Sequence, residues 1–168
     1  MITQRPVVIC VSGLKNSGKT ALIEAIIPLL TSNGIRTAVI KHHGHGFEGE
    51  IPDKPGSDTY RFLENGAYGT VIYDDHTFAL VKRQSVLPED LIELFPEADL
   101  IIIEGAKADS YPRIAMLRTG QPLSSDAETL ICAVTDPDYN ATTLPAGLPR
   151  FDFGDFASVS DLIIKFIQ

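Results

Sequence analysis

An α/β architecture, with a mainly parallel central sheet, helices on both faces and one antiparallel hairpin, is predicted by three features of the chain. Short β-branched apolar runs alternate with helical patterns; a glycine-rich turn joins the first run to the first helix; and an apolar run beginning at Leu100 ends in a carboxylate. At 168 residues the chain has the length of one domain, 1–168, enough to bury about 70 % of its unfolded surface. Hydrophobic residues at 44 % and charged residues at 21 % are ordinary globular usage and suggest neither a disordered chain nor a fibre. A formal charge of −8 repels polyanions, so no nucleic-acid partner is expected.

The first element is the run Pro6-Val7-Val8-Ile9-Cys10-Val11, which reads as a buried strand. The eight residues Gly13, Leu14, Lys15, Asn16, Ser17, Gly18, Lys19 and Thr20 follow and fill every fixed position of the phosphate-loop pattern G-x-x-x-x-G-K-[ST]. A helix over about Lys19 to Ser32 comes next, with Leu22, Ile26, Leu29 and Leu30 as its inward stripe, a distortion expected near Pro28 and a stop at Asn33-Gly34. Strand, turn and helix thus stand in the order that a P-loop NTPase fold in three layers requires. The glycines let successive N–H groups turn around phosphate oxygens, and the helix start adds its own unpaired N–H groups. Lys19 would reach the β and γ phosphates, and the Thr20 hydroxyl would ligate Mg²⁺.

Thr37-Ala38-Val39-Ile40 reads as a second strand, parallel to the first, and a polar loop from Lys41 to Asp58 leaves its carboxyl end. His42, His43 and His45 could bind metal, yet no cysteine or second histidine pair follows at finger spacing, so a solvated loop that orders over nucleotide is expected. Ser57 or Asp58 caps a short helix to about Asn65. Gly69–Tyr73 and Thr77–Val81 form a hairpin around Asp74-Asp75-His76, and Pro88 opens a helix to about Phe95. The run Leu100-Ile101-Ile102-Ile103 ends in Glu104, the position from which an acidic residue serves Mg²⁺ in P-loop proteins. Lys107 forms a charged rim beyond it.

Arg113–Leu117 and Thr129–Val134 read as further strands, and Asp136 after the second is a candidate acceptor for the N1–H and amino group of guanine. The chain closes with Arg150-Phe151-Asp152-Phe153 and a helix from about Ala157 to Phe166. Cys10 and Cys132 lie in separate apolar runs and read as small core residues in a reducing cytoplasm. No run approaches membrane-spanning length, so no membrane partner is expected.

Four segments taken together are more particular than the loop alone: Gly13 to Thr20, Val39-Ile40-Lys41-His42-His43, Asp53-Lys54-Pro55-Gly56-Ser57-Asp58-Thr59-Tyr60-Arg61, and Ile103-Glu104-Gly105-Ala106-Lys107. In them the chain resembles the MobB family, the molybdopterin-guanine dinucleotide biosynthesis adaptor proteins. It departs from that pattern at Ser57, where lysine is usual, and in its glycine-rich histidine loop.

The resemblance implies a GTP-binding homodimer with weak hydrolysis, working beside the guanylyltransferase that joins GMP to molybdopterin, with molybdopterin itself a candidate ligand. It assigns phosphate contacts to Gly18, Lys19 and Thr20 and makes Asp53 and Glu104 the acidic groups near Mg²⁺, either of which would orient the attacking water. Lys41, Gly56, Ser57 and Asp58 would border the site, and Arg61, Arg83, Arg113 and Arg118 are the candidate donors of a catalytic arginine. A small-molecule kinase using the same loop, or an interaction protein that does not hydrolyse nucleotide, are the alternatives.

Overall fold

The computed structural model describes residues 5–44, 53–105, 110–123 and 127–168. His45 and Lys107 lie outside the described residues. The chain divides into two compact units, one comprising the chain up to His42 and from Pro88 onward, the other His43–Leu87.

The larger unit is built on six strands: β1 (Val7–Ser12), β2 (Thr37–Lys41), β5 (Leu100–Glu104), β6 (Arg113–Leu117), β7 (Leu130–Thr135) and β8 (Arg150–Asp152). They pair side by side in the order β2-β5-β1-β6-β7-β8, every pairing parallel. All six carboxyl ends therefore line one edge of the sheet. β1 and β2 are parallel, as the connecting helix requires, but β5 is inserted between them. β8 is a three-residue edge strand that its sequence did not announce, since a run so short carries no periodicity.

Strand periodicity of two sends alternate side chains to opposite faces. Leu100 and Ile102 join Ile9, Val11, Ile114, Met116, Cys132 and Val134 on one face, covered by α1 (Lys19–Ser32) and α4 (Phe156–Ile167). Ile101 and Ile103 face the other way, packed with Ile40 against Leu91 and Ile92 of α3 (Pro88–Ile92), while Ala115, Leu117 and Ala133 pack against Tyr139, Leu144 and Leu148. Each fully buried Ile or Leu contributes roughly 1.5–3 kcal/mol, so β5, buried along its whole length, anchors the sheet. Cys10 and Cys132 are buried and not joined in a disulfide, and burial pushes Cys132 up to about 12.

α1 buries Leu22, Ile23, Ile26 and Leu30; Ile23 takes the core position expected of Leu29, which is only half-buried. The helix runs on through Pro28 and ends in a Schellman motif. Gly34 N–H donates to Thr31 O at 2.9 Å, Ile35 N–H to Leu30 O at 3.1 Å, and Gly34 takes φ 78°. α3 stops at Ile92, three residues short of expectation, because Leu94 and Phe95 turn to i−3 carbonyls and Pro96 offers no N–H.

At the opposite edge of the sheet, Asp99 accepts from Arg36 at 3.0 Å (Nε) and 2.8 Å (Nη2) and from the Arg36 backbone N–H at 2.8 Å, fastening the entry of β2 to that of β5. These bonds, the Arg36 side-chain pair foremost, hold the Asp99 carboxyl at about 2 against an ordinary 3.8. A depressed folded-state value means the contribution is complete above about pH 4 and is lost as pH falls toward 2. Urea denaturation should therefore show Asp99→Asn less stable than the native chain at pH 7, with the gap closing as pH falls through 4 to 2. A gap independent of pH would contradict this role.

The smaller unit holds α2 (Asp58–Glu64) and a two-stranded sheet of β3 (Gly69–Tyr73) and β4 (Phe78–Lys82). Ser57 caps α2, accepting from Tyr60 N–H at 3.1 Å. The hairpin closes as expected: Asp74 Oδ1 accepts from the N–H groups of His76 and Thr77, and Asp74 N–H donates to Thr77 O. Its register sets Val71 opposite Leu80 and Tyr73 opposite Phe78, which places these four on one face. All four are exposed, Tyr73 at 80 % and Phe78 at 71 %. Among the described residues, no helix is long and apolar enough to cross a membrane.

Candidate functional site

The loop Gly13–Thr20 leaves the carboxyl end of β1, at the centre of the sheet edge. Its path demands glycine at two points. Gly13 lies at φ 150°, and a Cβ there would stand 2.5 Å from Met116 O and 2.6 Å from Ser17 Oγ; Gly18 lies at φ 96°, where a Cβ would meet Phe153 Cε2 at 2.5 Å. Asn16 takes the left-handed conformation at φ 63°, a region that Asn tolerates better than most residues. Gly18 is the N-cap of α1 and no side chain caps that end, so the first N–H groups of the helix are left to an anion.

Lys19 Nζ donates to the carbonyls of Gly13 at 3.0 Å and Leu14 at 2.8 Å, which keeps the ammonium over the loop it would serve. Thr20 Oγ1 donates to Glu104 Oε1 at 2.7 Å. Glu104 ends β5, in register with Val11 of β1 and Lys41 of β2, so three strand ends converge on it. Its side chain is 9 % exposed, and Lys41 Nζ lies 3.3 Å from Oε2 and 3.4 Å from Thr20 Oγ1. A buried carboxylate needs a cation. In this arrangement Lys41 supplies it.

The Thr20 hydroxyl and the Glu104 carboxylate are hard oxygen donors within hydrogen-bond distance of each other, beside a loop whose sequence has the phosphate-loop pattern. That donor set fits Mg²⁺, which prefers one or two protein oxygens completed by phosphate and water.

On the other flank of the loop, Asp136 follows β7, and both of its carboxylate oxygens are engaged. Arg118 Nη1 pairs with Oδ1, and Thr119 N–H donates to Oδ2 at 3.0 Å. These partners, Arg118 first, hold the Asp136 carboxyl below the usual 3.8. Arg118 also donates from Nε to Ser17 O at 3.1 Å and lies 3.9 Å over the ring of Phe153. Leu14, Lys15 and Asn16 are exposed at the tip of the loop, whereas Ser17 is buried. Sequence reasoning placed Arg118 among four arginines and passed over Phe153, since nothing in the local pattern joins positions so far apart.

Asp53 belongs to the smaller unit. Its Oδ1 accepts from Lys54 N–H at 2.6 Å and its Oδ2 from Ser57 Oγ at 3.2 Å, and hydrogen bonds led by that from Thr59 lower its pKa. Gly56 at φ 83° makes the turn between them. Serine at position 57 is thereby explained locally: it bridges Asp53 to the first turn of α2, which a lysine side chain could not do as an acceptor. Among the described residues, no group of three or more His, Cys, Asp or Glu is placed to hold a metal; His42 and His43 do not form one.

Residues 8–136 match the family model described as molybdopterin guanine dinucleotide synthesis protein B. A Bacillus subtilis (strain 168) protein named as a probable molybdopterin-guanine dinucleotide biosynthesis adapter is 33 % identical over 154 residues, covering 90 % of this chain and 88 % of its own. The Escherichia coli (strain K12) molybdopterin-guanine dinucleotide biosynthesis adapter protein is 27 % identical over the same shares. The crystal structure of Bacillus subtilis MobB superposes with a TM-score of 0.78 at 31 % identity, covering 97 % of this chain and 98 % of that one.

Proposed function

The chain belongs to the MobB family of molybdopterin-guanine dinucleotide biosynthesis proteins, and from that premise we propose that it is an adapter that binds Mg²⁺–GTP on the loop Gly13–Thr20 and hydrolyses it slowly. The observation that carries this reading is the convergence of Lys19, Thr20 and Glu104 at a helix start that no side chain caps. Loop N–H groups and Lys19 would hold the β and γ phosphates, and Thr20 and Glu104 would hold the metal. Mg²⁺, when bound, neutralises charge on the phosphates. Lys41, at 3.3 Å from Glu104 Oε2 and 3.4 Å from Thr20 Oγ1, borders that site. Turnover is slow because Arg118, the arginine at the loop, is committed to Ser17 O and Asp136.

GTP rather than ATP follows from the family's product, which contains guanine, and the partner is the guanylyltransferase of that pathway, with molybdopterin as a further ligand. Work in the cytoplasm accords with two cysteines that form no disulfide. A ligand that binds only the folded state raises stability by about 2.7 kcal/mol at a hundred times its Kd. Thermal melts should accordingly rise by several degrees with Mg²⁺–GTP. Equal melting temperatures with and without it would overturn the assignment.

A homodimer is part of the same proposal. A lone hairpin is marginal in water, and the face formed by Val71, Tyr73, Phe78 and Leu80 is exposed. Sedimentation should show a dimer for the native chain and a monomer for Tyr73→Ser/Phe78→Ser, with nucleotide affinity per chain retained. A dimer in both would place the interface elsewhere.

A further inference from the structure

Arg118 belongs to the larger unit and has no part of its own in the proposed nucleotide reaction, since its donors are already committed. It stands at the carboxyl end of β6, directly beside β1, and spends its donors inward: Nε to Ser17 O at 3.1 Å, Nη1 to the Asp136 carboxylate. Its guanidinium plane lies 3.9 Å over Phe153, and its Nη2 would be 2.9 Å from a Cβ at Gly18. The Phe153 ring bounds the same space, at 2.5 Å from that Cβ, and Phe153 is itself fixed by its N–H to Thr135 O at 2.8 Å. Ser17 and Gly18, the two residues before α1, thus lie against a side chain from just after β6 and a ring from after β8, and a carboxylate from after β7 holds that side chain.

We propose that Arg118 is a positioning residue for the phosphate loop: held by Asp136 and stacked on Phe153, it fixes the backbone at Ser17 and Gly18 in the conformation that binds phosphate. The proposal rests on the assignment of the loop to nucleotide phosphates and gives Asp136 a different task from guanine recognition. With one carboxylate oxygen on Arg118 and the other on Thr119 N–H, Asp136 acts on phosphate binding through Arg118. A loop with a left-handed N-cap at φ 96° and a left-handed Asn16 holds a conformation that a free chain rarely samples. Pre-ordering it removes an entropy cost that ligand binding would otherwise bear. Arginine suits the position because only its planar fork can stack on a ring while donating to a carbonyl and a carboxylate at once.

The test compares the native chain with Arg118→Ala, Arg118→Lys and Asp136→Asn, titrated calorimetrically with GTP, ATP and inorganic tripolyphosphate in Mg²⁺. Amide hydrogen exchange of residues 13–20 is followed without ligand. Arg118→Ala should weaken all three ligands by the same factor, about tenfold, and speed exchange in the loop while the strands stay protected. Asp136→Asn should do the same to a smaller degree, and Arg118→Lys should remain close to Arg118→Ala. Loss of GTP affinity alone in Asp136→Asn, with tripolyphosphate unaffected, would overturn the proposal, as would full recovery by lysine, which would reduce Arg118 to a point charge. Should the native chain bind none of the three ligands, the nucleotide assignment falls, and unchanged loop exchange in Arg118→Ala would then reject the brace on its own.

Discussion

Lys19→Ala is expected to reduce affinity for Mg²⁺–GTP by about a hundredfold while leaving the fold intact. The ammonium sits over the loop on the carbonyls of Gly13 and Leu14, at 3.0 and 2.8 Å, so the proposed phosphate contact would need little reorganisation. A hydrogen bond to a charged group contributes roughly 1.5–3 kcal/mol, and two phosphates lose theirs together. Stability should change little, since Leu14 is exposed and water can replace the lost donor there. Titration calorimetry with a parallel urea melt separates the two effects. Unchanged affinity would remove the phosphate assignment, whereas a large loss of stability would make Lys19 a structural clamp.

Glu104→Gln should keep nucleotide binding and lose its dependence on metal. Glutamine is nearly isosteric and its amide oxygen can still accept from Thr20 Oγ1, now 2.7 Å from Oε1. The charge that would hold Mg²⁺ disappears. Lys41 loses its partner at 3.3 Å, but at 61 % exposure its side chain remains solvated, so no buried cation is stranded. Affinity for GTP without Mg²⁺ should equal or exceed that of the native chain, while the gain on adding Mg²⁺ vanishes and hydrolysis falls by about two orders of magnitude. Native hydrolysis in this variant would remove Glu104 from the metal site.

The features that could be read from the sequence are those whose cause is local. The phosphate loop needs two glycines at fixed spacing for backbone reasons, and positions 13 and 18 carry positive φ and spaces that a Cβ cannot enter. Arg113–Leu117 matches its expected bounds because five consecutive buried residues leave no ambiguity of period. Ser57 at the start of α2 and Asp74 in the hairpin turn act on N–H groups within three residues. What could not be read depends on strand order. The insertion of β5 between β1 and β2 brings Glu104 to Thr20, and the neighbouring of β1, β6, β7 and β8 brings Arg118, Asp136 and Phe153 to Ser17 and Gly18. Asp136 could be recognised as a polar group at a strand end, but not its partner, because Arg118 is one of several arginines with no spacing to single it out.

The account stands most directly on one measurement, the calorimetric titration of the native chain with GTP in Mg²⁺ and again in excess chelator. One saturable site per chain is predicted, tighter with Mg²⁺ and tighter for GTP than for ATP. Absence of saturable heat in either condition would contradict the claim that the loop from Gly13 to Thr20 is a nucleotide site.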